Sequence, residues 1–427
     1  MRRALLAIAV VVGACTAGSS SEPAPATATT HPTTTVPTVV EVDPDGPGAI
    51  VAVDGEVEIV VLDPAGGPGE VINADDGTSL ARQPLWSPDG TEVAWSAVEA
   101  DGTPSIRWRA LDGASAVSAS TPSLAFYLAF LDGGDRLAWL GNAAGGVGLS
   151  VIDRERGETE LLDVDAPHYL DGIDGGPLVT HGGGEELRTI RDGRPERIAA
   201  GTPAMQAPEV APDGSIVVLV DDRDELTIAD GDHRTVLVGE IGAELRLVRL
   251  DPSGAELAEL ARLPREALAF DLAPTGDRVA LWRRDLRGTT AVEVVDLGDG
   301  RREIVVADGG VAAAWSPDGA RLAVLVIEDG GTARWTFWDD AEVATGPAFR
   351  PTVAFVRDYL PFWDQYVRAS TPWSPDSSAL THAEERDGIG VVVVQPADGA
   401  ASTVIGDGDM SWWSPVTGRS PSSPVRP

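Results

Sequence analysis

The densest concentration of side chains able to do chemistry lies between Val353 and Ser370. Phe355, Tyr359, Phe362, Trp363 and Tyr366 stand there, five from a chain with only 12 Trp, 4 Tyr and 7 Phe. Arg357, Asp358, Gln365 and Arg368 are interspersed among them. Ligand and partner pockets are built this way, from apolar bodies with a few aimed polar groups. The candidate binding set is therefore Tyr359, Phe362, Trp363, Gln365, Tyr366 and Arg368. The same composition suits a plug packed over a core, and the residues alone leave both readings open.

Signatures of catalysis are missing. The sequence has no Gly-x-Ser-x-Gly, no His-Glu-x-x-His, no phosphate-binding Walker loop and no Gly-x-Gly-x-x-Gly. The five histidines, His31, His168, His181, His233 and His382, are scattered. Asp43 and Asp45 and the many Asp-Gly pairs lack the twelve-residue calcium-loop spacing and read as turns. No catalytic residue, metal site or cofactor is expected. Arg283, Arg284 and Arg287 form the one basic cluster, suited to pairing with neighbouring acidic loops.

The elements that must position these residues emerge from a repeat. Trp86-Ser-Pro-Asp-Gly90 returns as Trp315-Ser-Pro-Asp-Gly319 and as Trp373-Ser-Pro-Asp-Ser377. Weaker copies start at Phe130, Val210 and Leu272. Successive copies are 44, 80, 62, 43 and 58 residues apart, which fits a unit of about 40 to 45 residues, the length of a four-stranded propeller blade. Within a unit, Pro fixes φ, Asp bonds its own backbone and Gly supplies the positive φ of the reversal. An alternating strand and a further hairpin follow, as in Val292 to Val306. The Trp of the phrase is expected to wedge between blades. Corresponding hairpins are expected at 57–71, 106–117, 149–162, 187–198, 226–238 and 391–404, with 244–260 as an extra hairpin on the rim.

These phrases resemble the repeat of TolB-type, WD-repeat-like propellers over roughly residues 48–416. The resemblance implies an all-β propeller of four-stranded blades. Eight are expected, or seven if the short unit near His168 merges with a neighbour. Met410-Ser-Trp-Trp413 reads as an inner strand without its own blade, and Ala49 to Val71 as outer strands lacking an inner one. Joining the N- and C-terminal strands would close the ring and remove its exposed edges.

Arg2 and Arg3 precede an apolar run, Ala4 to Gly13, which is about half the ~20 residues needed to span a bilayer. Val12-Gly13-Ala14-Cys15 then resembles the lipobox of bacterial lipoproteins, which implies lipidation of Cys15. Residues 1–15 are expected to be a lipoprotein signal, 16–47 a disordered Ser/Thr/Pro/Ala tether, and 417–427 a disordered tail. Cys15 is the only cysteine, so no disulfide framework or thiolate metal cluster is expected.

All 32 basic residues are Arg against 67 acidic ones, a net charge of −35. Such a chain repels a phosphate backbone, so no nucleic-acid partner is expected. Membrane contact is expected through the lipid anchor only. The composite expectation is a monomeric extracytoplasmic protein, lipid-anchored to the cell membrane. It would be non-enzymatic and would bind an envelope protein or polysaccharide through its channel face. The alternative is a glycan-active lyase or hydrolase using channel-mouth carboxylates beside an aromatic platform.

Overall fold

In a computed structural model of the chain, the copies of the repeat phrase at Trp86, Phe130, Val210, Leu272 and Trp315 turn a short inner strand back into a second, largely apolar one. The structure describes residues 48–74, 77–165, 168–172, 178–182, 186–191, 194–200, 207–211, 213–221, 244–264, 267–284 and 290–416. The signal, Cys15, the tether, Arg287, the 226–238 hairpin and the tail lie outside them.

Eight antiparallel sheets result, seven of them four-stranded. The inner strands of blades 2 to 7 are Leu80–Trp86, Ala125–Leu131, His168–Gly172, Glu209–Val210, Ala267–Leu272 and Gly310–Trp315. Blade 1 is composite. Met410–Trp413 is its inner strand, and Ile50–Asp54, Glu58–Leu62 and Glu70–Val71 complete it. Ile50 pairs with Trp413 and Val53 with Met410, so the two ends of the chain close the ring. The short unit near His168 is a full blade, so the count is eight.

The second and third strands of each blade are covered by neighbouring blades on both faces. Leu322–Ile327 and Ala333–Trp338 accordingly read as continuous apolar runs with little alternation. Outer strands such as Val343–Thr345 and Glu158–Asp165 are mostly solvated. In blade 5 the expected order needs correction. Glu244–Leu250 pairs with Ile216–Asp221 and is the third strand, with Glu256–Pro264 the fourth. Residues 244–260 therefore build the blade itself, because their alternation completes the ladder that Ile216–Asp221 requires.

The repeat phrase works as a wedge followed by a turn. The Trp315 indole donates to the Asp271 carbonyl of the preceding blade at 3.0 Å, Trp373 to Ala314 at 3.0 Å, and Trp86 to Trp412 at 3.3 Å. In the turn, the Ser316 hydroxyl donates to Asp318 at 2.6 Å, and the Gly319 N–H closes onto the Ser316 carbonyl at 2.8 Å. Gly319 has a φ of 68°, the left-handed conformation that the reversal needs. Burial pushes the Asp318 carboxyl up. Hydrogen bonds from Ser316 and the Ala320 N–H outweigh it and hold the group below its usual value.

Blade 8 departs from the pattern. Its sheet holds Ala379–Arg386, Ile389–Pro396 and Thr403–Asp407, and only a single bridge, Trp373 to Leu380, marks the inner position. The chain before that bridge is the aromatic insert. It is helical, with a π-turn at Phe355–Tyr359, a 3-10 turn at Leu360–Phe362, and α1 at Trp363–Ala369.

Candidate functional site

The inner strands of a propeller present a row of unpaired backbone groups to the central channel. The insert satisfies several of them. Gln365 meets Leu170 of blade 4 with both ends of its amide. Its oxygen accepts the Leu170 N–H at 2.8 Å, and its nitrogen donates to the Leu170 carbonyl at 2.7 Å. Tyr366 donates to the Phe126 carbonyl of blade 3 at 2.7 Å. Trp363 donates to the Ala313 carbonyl of blade 7 at 2.8 Å. Asp364 accepts the Ala207 N–H at 2.9 Å, just before the inner strand of blade 5. The Thr352 hydroxyl donates to the Asp409 carbonyl at 2.6 Å beside blade 1.

Aromatic packing fills the space between these bonds. Trp363 lies 5.6 Å from Trp412, 6.0 Å from Trp335 and 5.8 Å from Phe355, measured between ring centroids. Tyr366 is 4.7 Å from Tyr359 and 5.7 Å from Tyr127. Of the six candidate binding residues, Tyr359, Trp363, Gln365, Tyr366 and Arg368 are therefore buried, and Phe362 is exposed. A neighbouring void of about 10 Å3, lined by Trp335, Phe349 and His382 among others, has room for one water at most.

Arg368 is the charged anchor. Its guanidinium donates to Asp271 at 2.7 Å, to the Phe270 carbonyl at 2.9 Å and to the Pro208 carbonyl at 3.3 Å, and lies 3.2 Å from Glu209. The carboxylates around it occupy equivalent places in consecutive blades. Asp171 accepts the Val210 N–H at 2.7 Å, Glu209 the Leu272 N–H at 2.9 Å, and Asp271 the Trp315 N–H at 2.9 Å. Each blade from 4 to 6 thus fastens the next through one side chain. Sequence reasoning missed this ladder, although Glu209 and Asp271 each stand one residue before a copy of the repeat phrase.

Burial pushes the Glu209 carboxyl up to about 8, with Arg368 opposing and Asp271 adding to the rise. Asp171 is pushed up to about 6 by burial, again against Arg368. Asp271 is also raised by burial against the pull of Arg368. A cavity of about 220 Å3 adjoins the group, between the ends of these inner strands, Trp315 and Ser370–Pro372. Among the described residues no cluster of His, Cys, Asp and Glu is arranged to hold a metal ion.

The face on which the insert enters carries exposed apolar side chains. Val353, Val356, Phe362 and Phe126 are 69%, 44%, 42% and 38% exposed. Sequence reasoning singled out only Phe362 of these. The basic cluster is partly spent, since Arg283 pairs with Glu293 at 3.4 Å. Among the described residues no helix is long and apolar enough to cross a membrane.

No protein-family model and no curated protein matches the sequence. Solved structures do. The dihydro-heme d1 dehydrogenase NirN in complex with DHE is 15% identical with a TM-score of 0.56, over 88% of this chain and 76% of that one. The C-terminal WD40 domain of Sif2 is 11% identical with a TM-score of 0.54, over 83% and 94%. TolB from Acinetobacter baumannii is 14% identical with a TM-score of 0.38, over 69% of this chain and 62% of that one, an overlap that carries no argument. Likeness at these identities shows the propeller fold alone.

Proposed function

We propose that this chain is a non-catalytic, lipid-anchored propeller of the cell envelope that binds a partner through the face carrying the insert. One observation carries the reading. The insert commits Trp363, Gln365 and Tyr366 to inner-strand backbone while Val353, Val356 and Phe362, with Phe126 beside Tyr366, remain in solvent. Folding alone does not call for exposed apolar side chains gathered on one face, and such groups mark interaction surfaces. The Arg2, Arg3 and Ala4–Gly13 pattern before Cys15 supports export and lipidation, and residues 16–47 suit a spacer. The Trp-Ser-Pro-Asp-Gly phrase, similar to that of TolB-type propellers, supports an envelope role.

A glycan lyase or hydrolase has weaker support. The Arg368 guanidinium bonds Asp271 and lies 3.2 Å from Glu209, so these carboxylates are already engaged by a cation. The test is crosslinked capture from intact cells with a Val356→Ser, Phe362→Ser variant shown to be folded. Loss of one specific partner supports the reading, and unchanged capture removes it. Incorporation of an alkyne fatty acid, abolished by Cys15→Ser, tests the anchor.

A further inference from the structure

Resting on that binding role, we infer that the insert face is built for a basic amphipathic polypeptide segment, with apolar side chains seated on Val353, Val356 and Phe362 and cationic ones on the neighbouring acidic rim. The rim is where blades 1 and 8 meet. Asp54 ends the second strand of blade 1 and Glu58 begins the third, Asp407 ends the outer strand of blade 8, and Asp409 precedes the inner strand of blade 1. The rim joins the insert at two points: Thr352 bonds the Asp409 carbonyl, and Arg357 pairs with Glu56 at the tip of the Asp54–Glu58 hairpin.

The rim is under-neutralised. Arg82 and Arg357 pair with Glu56, and Arg357 also with Asp358, so neither cation is left for the other four carboxylates. Burial and then repulsion from Glu58, Asp407 and Asp409 raise the Asp54 carboxyl, as expected where like charges gather with no cation paired to them among the described residues. Apolar anchors beside unspent negative charge complement a segment with one apolar and one basic face.

By composition, residues 16–47 carry Glu22, Glu41, Asp43 and Asp45 and no Arg or Lys, so that segment does not complement an acidic rim. Anionic lipid is disfavoured by the sign of the rim, and a second copy would set acidic rim against acidic rim.

The test uses the full chain and a synthetic amphipathic Leu/Lys helical peptide as probe, with binding followed by fluorescence anisotropy at low and high salt. Replacing Asp54→Asn, Glu58→Gln and Asp407→Asn together is expected to weaken binding about tenfold and flatten its salt dependence. Val356→Ser with Phe362→Ser is expected to weaken it about tenfold with the salt dependence kept. The control is Asp112→Asn, Asp299→Asn and Asp398→Asn, which removes equal charge from exposed turns on the opposite face and should leave affinity within about twofold. Near-UV circular dichroism confirms the fold of each variant.

Equal weakening by the control, or unchanged binding by the apolar variant, would overturn the inference. So would binding to phosphatidylglycerol vesicles in preference to the peptide, or self-association abolished by Phe362→Ser. If cellular capture depends on Phe362 but not on the rim charges, the partner chemistry fails and the binding role stands. If capture ignores Phe362 as well, the binding role itself fails.

Discussion

Replacing Arg368 with Met keeps the aliphatic stem of the side chain and removes the guanidinium that ties the insert to blades 5 and 6. The Arg368 side chain is 3% exposed, and the groups it leaves behind, Asp271 and Glu209, are 11% and 16% exposed. Breaking a buried pair from one side typically costs about 3 to 5 kcal/mol, because the remaining carboxylates have no counter-charge. Two carbonyls, Phe270 and Pro208, also lose their donor. We expect a loss of about 4 kcal/mol in urea unfolding at pH 8.5, where the carboxylates are charged, followed by Trp fluorescence. Adding Asp271→Asn and Glu209→Gln should recover about half of it, since the stranded charges are then gone. The penalty should also shrink as pH falls from 8 to 5 and the carboxylates take up protons. A loss under about 1 kcal/mol, or no recovery in the triple variant, would refute the argument that buried charge fastens the insert.

Further outcomes follow from the same contacts. Glu209 titrates at about 8 in the fold against an ordinary value of 4.5, so its contribution to stability is full below pH 4.5 and is lost as pH rises through 8. Burial lowers the pKa values of His168 and His382, and their contribution runs the other way, lost as pH falls below about 6.5. The difference between wild type and Glu209→Gln isolates the first effect: the wild type should gain relative to the variant as pH falls from 8.5 to 5, measured by urea midpoints. Trp315→Ala should cost about 3 to 5 kcal/mol, because it empties the wedge between blades 6 and 7 and removes the bond to Asp271. Gly90→Ala should cost about 1 to 2 kcal/mol, since Gly90 has a φ of 68° and a methyl there would run into the Val416 side chain. Thermal melts of both variants check these values.

The architecture was largely legible because the wedge and its turn are local. Trp, Ser, Pro, Asp and Gly each have a fixed conformational duty within five residues, and the spacing of the copies marks the blades. Ring closure was legible too, since Met410–Trp413 lacks a blade and Ile50–Asp54 lacks an inner strand. The insert was harder. Phe355, Tyr359, Trp363 and Tyr366 follow helical spacing, but Pro361 interrupts the run and divides it into short turns. Nothing in their spacing says that the helix enters the channel, because Leu170, Phe126 and Ala313 contribute only backbone groups, which every residue has. Of the aromatic residues suggestive of binding, Tyr359, Trp363 and Tyr366 are buried and Phe362 is exposed. The exposed Val353, Val356 and Phe126 are ordinary residues until the fold gathers them on one face.

The most direct test of the account is site-specific photocrosslinking in intact cells, with a photoreactive residue placed in turn at Phe362, at the buried Trp363 and at Asp299 on the opposite face. The account predicts one discrete adduct from position 362 and none from the other two. An adduct from Asp299 alone, or a silent position 362 in a protein shown to be folded and exported, would contradict it.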